Sequence, residues 1–189
     1  GAIAAQALLS APADGKTLLW GLASMTGLPM LQKSAPYRSI AELAPVSLVG
    51  RFAFGLFVNN DLPVRSVSEL VAYAKSHPDQ LSCAHGTLGE FMAATQFMQA
   101  TGVRTVLVPY KGGAQLMPDL IAGRVQLNFG PLSSGLQHAT AGKLRLLAVL
   151  APARSAVAHD VPTLAEAGVA TATLPSWQAV FAPPRTPSE

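Results

Sequence analysis

The chain has 189 residues, with 13 Lys and Arg against 10 Asp and Glu, for a net charge of +3 with neutral histidines. Charged residues make up 12% and hydrophobic ones 50%, where an average soluble protein carries roughly 25% charged residues. That balance excludes a disordered tail, a coiled coil and a collagen-like chain, and the length suffices for one large domain or two small lobes. Basic residues are scattered and aromatics are only 6%, so no nucleic-acid partner is expected. The longest uncharged stretches, 17–32, 125–142 and 167–184, are each broken by Gly, Pro and polar residues, and none is expected to span a bilayer. The single cysteine, Cys83, excludes an internal disulfide and a cysteine-based zinc cage.

The first predicted element is an Ala-rich helix over Ile3–Leu9, ended by the turn signal Pro12-Ala13-Asp14-Gly15. Thr17–Trp20 reads as a buried strand, and the stretch to Pro36 as irregular. Val46–Val49 and Phe52–Val58 are strand-like apolar runs. From there the pattern becomes regular. Ser66-Val67-Ser68-Glu69 is a capping box that opens a helix stopped before Pro78. Strands follow at Leu81–Ala84, Thr105–Val108, Val125–Phe129 and Leu144–Leu150. Between them the spacing predicts helices over Leu88–Ala100, from Gly113 through Ala122, and over Ser133–Ala141, each closed by a glycine. This alternation over residues 81–150 predicts a parallel sheet with right-handed crossovers. Thr163-Leu164-Ala165-Glu166 predicts a second boxed helix, short and ended by Gly168. Trp177–Phe181 reads as a last strand after a turn at Pro175, and the closing residues 183–189 as a turn and a helix start.

Several chemistries are excluded by motif. Gly15-Lys16-Thr17 ends like a phosphate-binding loop, but the required glycine five residues earlier is Ser10, and a strand follows instead of a helix. There is no G-x-S-x-G, H-E-x-x-H or G-x-G-x-x-G pattern. What remains is a site built from main chain. Ligands of an open parallel sheet bind beyond the carboxyl ends of its strands. Two loops there, 85–89 and 110–113, are glycine-rich and run straight into helices. A helix start offers unpaired N–H groups and partial positive charge, and glycine lets a bound oxygen approach. Two such starts aimed at one point would hold a carboxylate or phosphate. The same glycines also serve simple tight turns.

These residues resemble a known family. Asp14-Gly15-Lys16-Thr17-Leu18-Leu19, Ala44-Pro45-Val46 and Val108-Pro109-Tyr110-Lys111-Gly112-Gly113-Ala114 are similar to segments of the Bug proteins. So are Gly142-Lys143-Leu144-Arg145, Asp160-Val161-Pro162-Thr163 with Glu166-Ala167-Gly168, and Ala182-Pro183-Pro184-Arg185-Thr186-Pro187 after Trp177. Bug proteins are the substrate-binding proteins of tripartite tricarboxylate transporters. The resemblance implies an α/β, two-lobe periplasmic-binding-protein-like (type II) fold with parallel-rich sheets and flanking helices. It implies a second lobe over residues 59–175 and an incomplete first lobe from residues 1–58 and 176–189. It also implies that this chain matches the middle of a longer protein, without the family's signal peptide, first strand or final helices. The loop Ser82–Glu90 departs from the family pattern, with Glu90 and Phe91 where the family often has polar residues or histidine. A carboxylate there would repel an anionic guest.

The expected function is therefore periplasmic capture of a small carboxylate in the cleft between lobes, by main-chain amides, with a membrane tricarboxylate transporter as partner. No catalysis, metal or cofactor is expected. The candidate ligand-binding residues are His85, Gly86, Thr87, Tyr110, Lys111, Gly112, Gly113 and Ser133. Gly86 and Thr87 would donate to a carboxylate, Gly112 and Gly113 would allow close backbone approach, and Tyr110 would wall the site. Lys111 would attract anions at long range, and His85 would pair with a carboxylate. Ser133, with Ser134, would line the same edge or cap the next helix. Cys83 reads as a core residue. The alternative is a cytosolic ligand-sensing domain of a transcription regulator, which shares the architecture but needs a DNA-binding helix pair. A lyase or hydrolase using the same cleft is a further alternative.

Overall fold

Short-range chemistry sets several helix ends in this protein. The computed structural model describes residues 1–170 and 176–187. The turn expected at Pro175 lies outside the described residues, as do Ser188 and Glu189 of the expected closing helix start. The Ser66 hydroxyl accepts the Glu69 amide at 3.2 Å, and the Glu69 carboxylate returns to the Arg65 amide at 2.7 Å. Together they start helix α3, Val67–Ser76. At Thr163 both capping-box bonds form, at 2.8 and 3.1 Å, but they close a turn ending at Gly168 and not the helix expected there. Gly102 ends α4, Leu88–Thr101, at φ 71°, a left-handed position that glycine occupies without steric cost.

The chain divides into two units, Gly1–Arg51 with Pro175–Glu189, and Phe52–Leu174. The second unit holds strands β3 Phe54–Asn59, β4 Ser82–His85, β5 Val106–Pro109, β6 Leu127–Pro131 and β7 Leu144–Leu150, in the order β5-β4-β6-β3-β7. β4 runs parallel to β5 and β6 as predicted. β3 is inserted antiparallel between β6 and β7, from Phe54 opposite Pro131 to Val58 opposite Leu127, so the sheet is mixed. This moves β3 out of the first lobe, where the sequence boundary at residue 58 had placed it. The physical reason is burial: every residue of β3 is buried, which requires the centre of a sheet covered on both faces. Leu56 and Val58 pack with Val67 and Leu70 of α3 and Phe97 of α4. Phe57 packs on the other face with Leu116 and Leu120 of α5, Gly113–Ile121, and Leu132 of α6, Leu132–Thr140.

The first unit contains α1 Ala2–Leu9, β1 Leu19–Leu22, α2 Leu28–Leu31, β2 Ala44–Arg51 and β8 Trp177–Ala182. Its sheet has the order β1-β8-β2, and both pairings are antiparallel, so the parallel-rich expectation does not hold here. β8 is central because its Ala179 and Phe181 face a small core with Ala5, Leu8, Leu19 and Leu43. Tyr37 is buried in that core and its hydroxyl donates to the Met25 carbonyl at 2.7 Å. Trp20, Val46, Leu48 and Val49 are exposed. A cavity of about 300 Å³ opens in the same unit, lined by Leu43, Pro45, Leu48, Trp177 and Phe181 among others.

Candidate functional site

The parallel strands β5, β4 and β6 lie side by side, so they end on one edge of the sheet. The three helices that follow them, α5, α4 and α6, therefore all start at that edge. Loop 85–87 joins β4 to α4 and loop 110–112 joins β5 to α5.

These two loops touch. The Tyr110 amide donates to the His85 carbonyl at 2.8 Å. A Cβ on Gly86 would fall 2.8 Å from the Gly112 Cα, so only glycine permits this approach at 86. The far side is open: a Cβ on Gly112 or Gly113 would meet nothing within 4 Å. Gly112 sits at φ 156° and no side chain caps α5. The structure thus brings Gly86, Thr87, Gly112 and Gly113 together.

The start of α4 differs. Thr87 is its N-cap, and the Thr87 hydroxyl accepts the Glu90 amide at 3.3 Å. The Glu90 carboxylate turns back and accepts the Gly86 amide at 2.6 Å. The nearby Thr87 amide and Asn128 side chain also favour its charged form. Glu90 is 4% exposed. Burial pushes its carboxyl above the usual glutamate range, and the Gly86 and Thr87 amides and the Asn128 side chain oppose the shift. The amide expected to receive a guest at Gly86 is engaged within the protein.

The other candidates fall into different surroundings. Tyr110 donates from its hydroxyl to Asp119 at 2.7 Å, and Asp119 pairs with Arg124 at 2.7 Å. The hydroxyl thereby ties the loop to α5. The bond to Asp119 raises the Tyr110 pKa, and the bonds from Tyr110 and Arg124 lower that of Asp119. Lys111 is exposed. His85 packs edge-on against Phe91 at 5.2 Å, and burial lowers its pKa, which favours the neutral ring. Ser133 is exposed in the first turn of α6. Neither serine caps that helix: its N-cap is Pro131, and Ser134 donates to the Pro131 carbonyl at 2.9 Å. Cys83 is a core residue as expected, and burial first, then Glu90, pushes its thiol up to about 12.

Sequence reasoning missed the roles of Glu90, Asn128 and Asn59. For Glu90 the signal was present: Thr87-Leu88-Gly89-Glu90 has the spacing already used at Ser66 and Thr163. Asn128 is 2% exposed and donates to the Ala84 carbonyl at 3.0 Å. Asn59 donates to the carbonyls of Leu120 and Ile121 at 2.9 and 3.0 Å, closing the end of α5. Both partners are remote in sequence, and no local pattern announces them. Among the described residues no group of three or more His, Cys, Asp or Glu could hold a metal ion, and no helix is long and apolar enough to cross a membrane.

Residues 1–189 match the sequence model of the tripartite tricarboxylate transporter family receptor. Protein BugT of Bordetella pertussis is 34% identical over 191 residues, which take in 98% of this chain and 58% of BugT. The structure of R. palustris Rpa4515 with adipate superposes with a TM-score of 0.93 at 34% identity, over 100% of this chain and 64% of that one. MatC (Rpa3494) from Rhodopseudomonas palustris with bound malate gives 0.89 at 27% identity, over 98% of this chain and 64% of that one. The chain thus spans less than two thirds of each of these relatives.

Proposed function

The chain belongs to the tripartite tricarboxylate transporter receptor family, and from that premise we propose that it is part of a periplasmic solute-binding protein that holds a small carboxylate and passes it to a membrane transporter. One observation carries the site: two glycine loops abut at the sheet edge, and the one leading into α5 is open and uncapped by any side chain. At a helix start the first amides have no partner within the helix, and the aligned peptide dipoles favour an anion. In α5 these are the amides of Gly113 and Ala114. Glycine at 112 and 113 leaves room for a carboxylate oxygen to reach them. Lys111, exposed beside them, adds long-range attraction. A main-chain clamp of this kind binds without altering its guest, which suits a receptor. The solved relatives carrying adipate and malate support a carboxylic acid as the guest class.

The test is Gly113→Val. The residue is exposed and its Cβ meets open space, so the variant keeps its fold while valine covers the α5 start. Adipate, malate and monocarboxylates are screened by thermal shift on parent and variant. A bound guest raises the parent midpoint, and the variant loses that shift. A variant stabilised as fully as the parent, or a parent that no carboxylate stabilises, overturns the proposal.

A further inference from the structure

We infer that Glu90 is a specificity-determining residue: its buried carboxylate permanently fills one of two adjoining helix starts, so a guest is gripped by the other alone. The inference rests on the proposed carboxylate site at α5 and narrows its ligand class.

The two starts are neighbours, yet their donors are in opposite states. At α4 the Gly86 amide donates to Glu90 Oε2 at 2.6 Å, and the Glu90 amide is held by the Thr87 hydroxyl at 3.3 Å. Asn128 of β6, itself 2% exposed, donates to the Ala84 carbonyl at 3.0 Å and favours the charged form of Glu90. The Gly86 amide, the Glu90 amide and the Asn128 side chain are each paired inside the protein. A guest that took these amides would leave a buried carboxyl with fewer partners, and breaking such a set is costly. At α5 no side chain performs the equivalent role, and the space over Gly112 and Gly113 is open.

Because loop 85–87 touches loop 110–112, anything bound at α5 lies beside the filled α4 start. The Gly86 and Glu90 amides of that neighbour are already taken and do not serve a second anionic group. The favoured guests are monocarboxylates, or longer acids whose second anionic group points away from α4. Glu90 acts as an internal stand-in for the second carboxylate of a compact diacid.

The experiment maps amide chemical shifts in the isotopically labelled chain during titration with adipate and with hexanoate. In the parent, both ligands move the Gly113 and Ala114 signals and leave those of Gly86 and Thr87 unmoved. Glu90→Gln keeps an acceptor for the Gly86 amide, so it folds and gives the parent pattern. In Glu90→Ala the Gly86 signal also moves with adipate, and adipate gains about tenfold over hexanoate in affinity, as a freed donor to a charged group allows. Movement of Gly86 or Thr87 in the parent or in Glu90→Gln overturns the inference, whether or not the alanine variant folds. So does a folded alanine variant with an unchanged adipate-to-hexanoate ratio. If neither ligand moves Gly113 or Ala114 in any of the proteins, the α5 site itself falls and takes this inference with it.

Discussion

Glu90 is a glutamate almost out of reach of water, and its energetics follow from that position. Burial raises its pKa above the ordinary 4.5, against the pull of Gly86, Thr87 and Asn128. A carboxyl with a raised folded-state pKa binds its proton more tightly in the native protein than in the unfolded chain. Its contribution to stability is then complete below pH 4.5 and declines as pH rises through the folded value. Glu90→Gln removes this titration. Denaturant midpoints across pH should show the parent losing stability relative to Glu90→Gln above pH 4.5, and parallel curves below it. A parent that gains stability over that window relative to the variant would contradict the assignment. At this scale the sequence was informative where a role is local. Cys83 sits in an apolar run, and its burial follows from that run. Asn128 sits in an apolar run too, but its task depends on Ala84 and Glu90, which only the folded sheet brings near.

At the scale of elements, the contrast between α4 and α5 is one of capping. The hydroxyl of Thr87 and the carboxylate of Glu90 close the first turn of α4, while α5 begins at bare glycine. Thr87→Ala should therefore cost about 0.5–2 kcal/mol. The change should appear as a lower denaturant midpoint with unchanged m-value. Helices and strands over residues 81–150 were legible because each has its own period and its own terminal glycine. Their ends moved by one or two residues: the helix expected at Ser133 starts at Leu132, and the strand expected at Val125 starts at Leu127. Thr163-Leu164-Ala165-Glu166 shows the limit of local signals. Its box forms, but Gly168 follows too soon for a helix to grow beyond a turn.

For the whole molecule, alternation of strand and helix established the α/β class, while partner choice among strands stayed hidden. An apolar run such as Phe54–Val58 declares that it will be buried, not which neighbours it will have or in which direction it will run. The antiparallel sheet of the first unit escaped for a related reason. β8 joins β1 and β2 from the far end of the chain, and no pattern within either segment encodes that pairing. The two units should differ in local stability. β3, β4 and β6 lie inside a core closed on both faces, whereas the smaller core of the first unit leaves Trp20, Val46 and Leu48 in water. Native-state hydrogen exchange should find the slowest amides in β3, β4 and β6 and faster exchange in α1 and α2. Equal protection in α1 and β3 would refute this ranking.

The placement of β3 also bears on how the protein is made. Its strand partners among the described residues, β6 and β7, are translated later, after α3, β4, α4, β5 and α5. A nascent chain that has reached residue 126 therefore displays the sticky segment Phe54–Asn59 with neither edge satisfied. At bacterial synthesis speeds that interval lasts for seconds. Exposure of an unpaired apolar strand to aggregation during that interval is the biosynthetic counterpart of a strand that ends up so deeply enclosed.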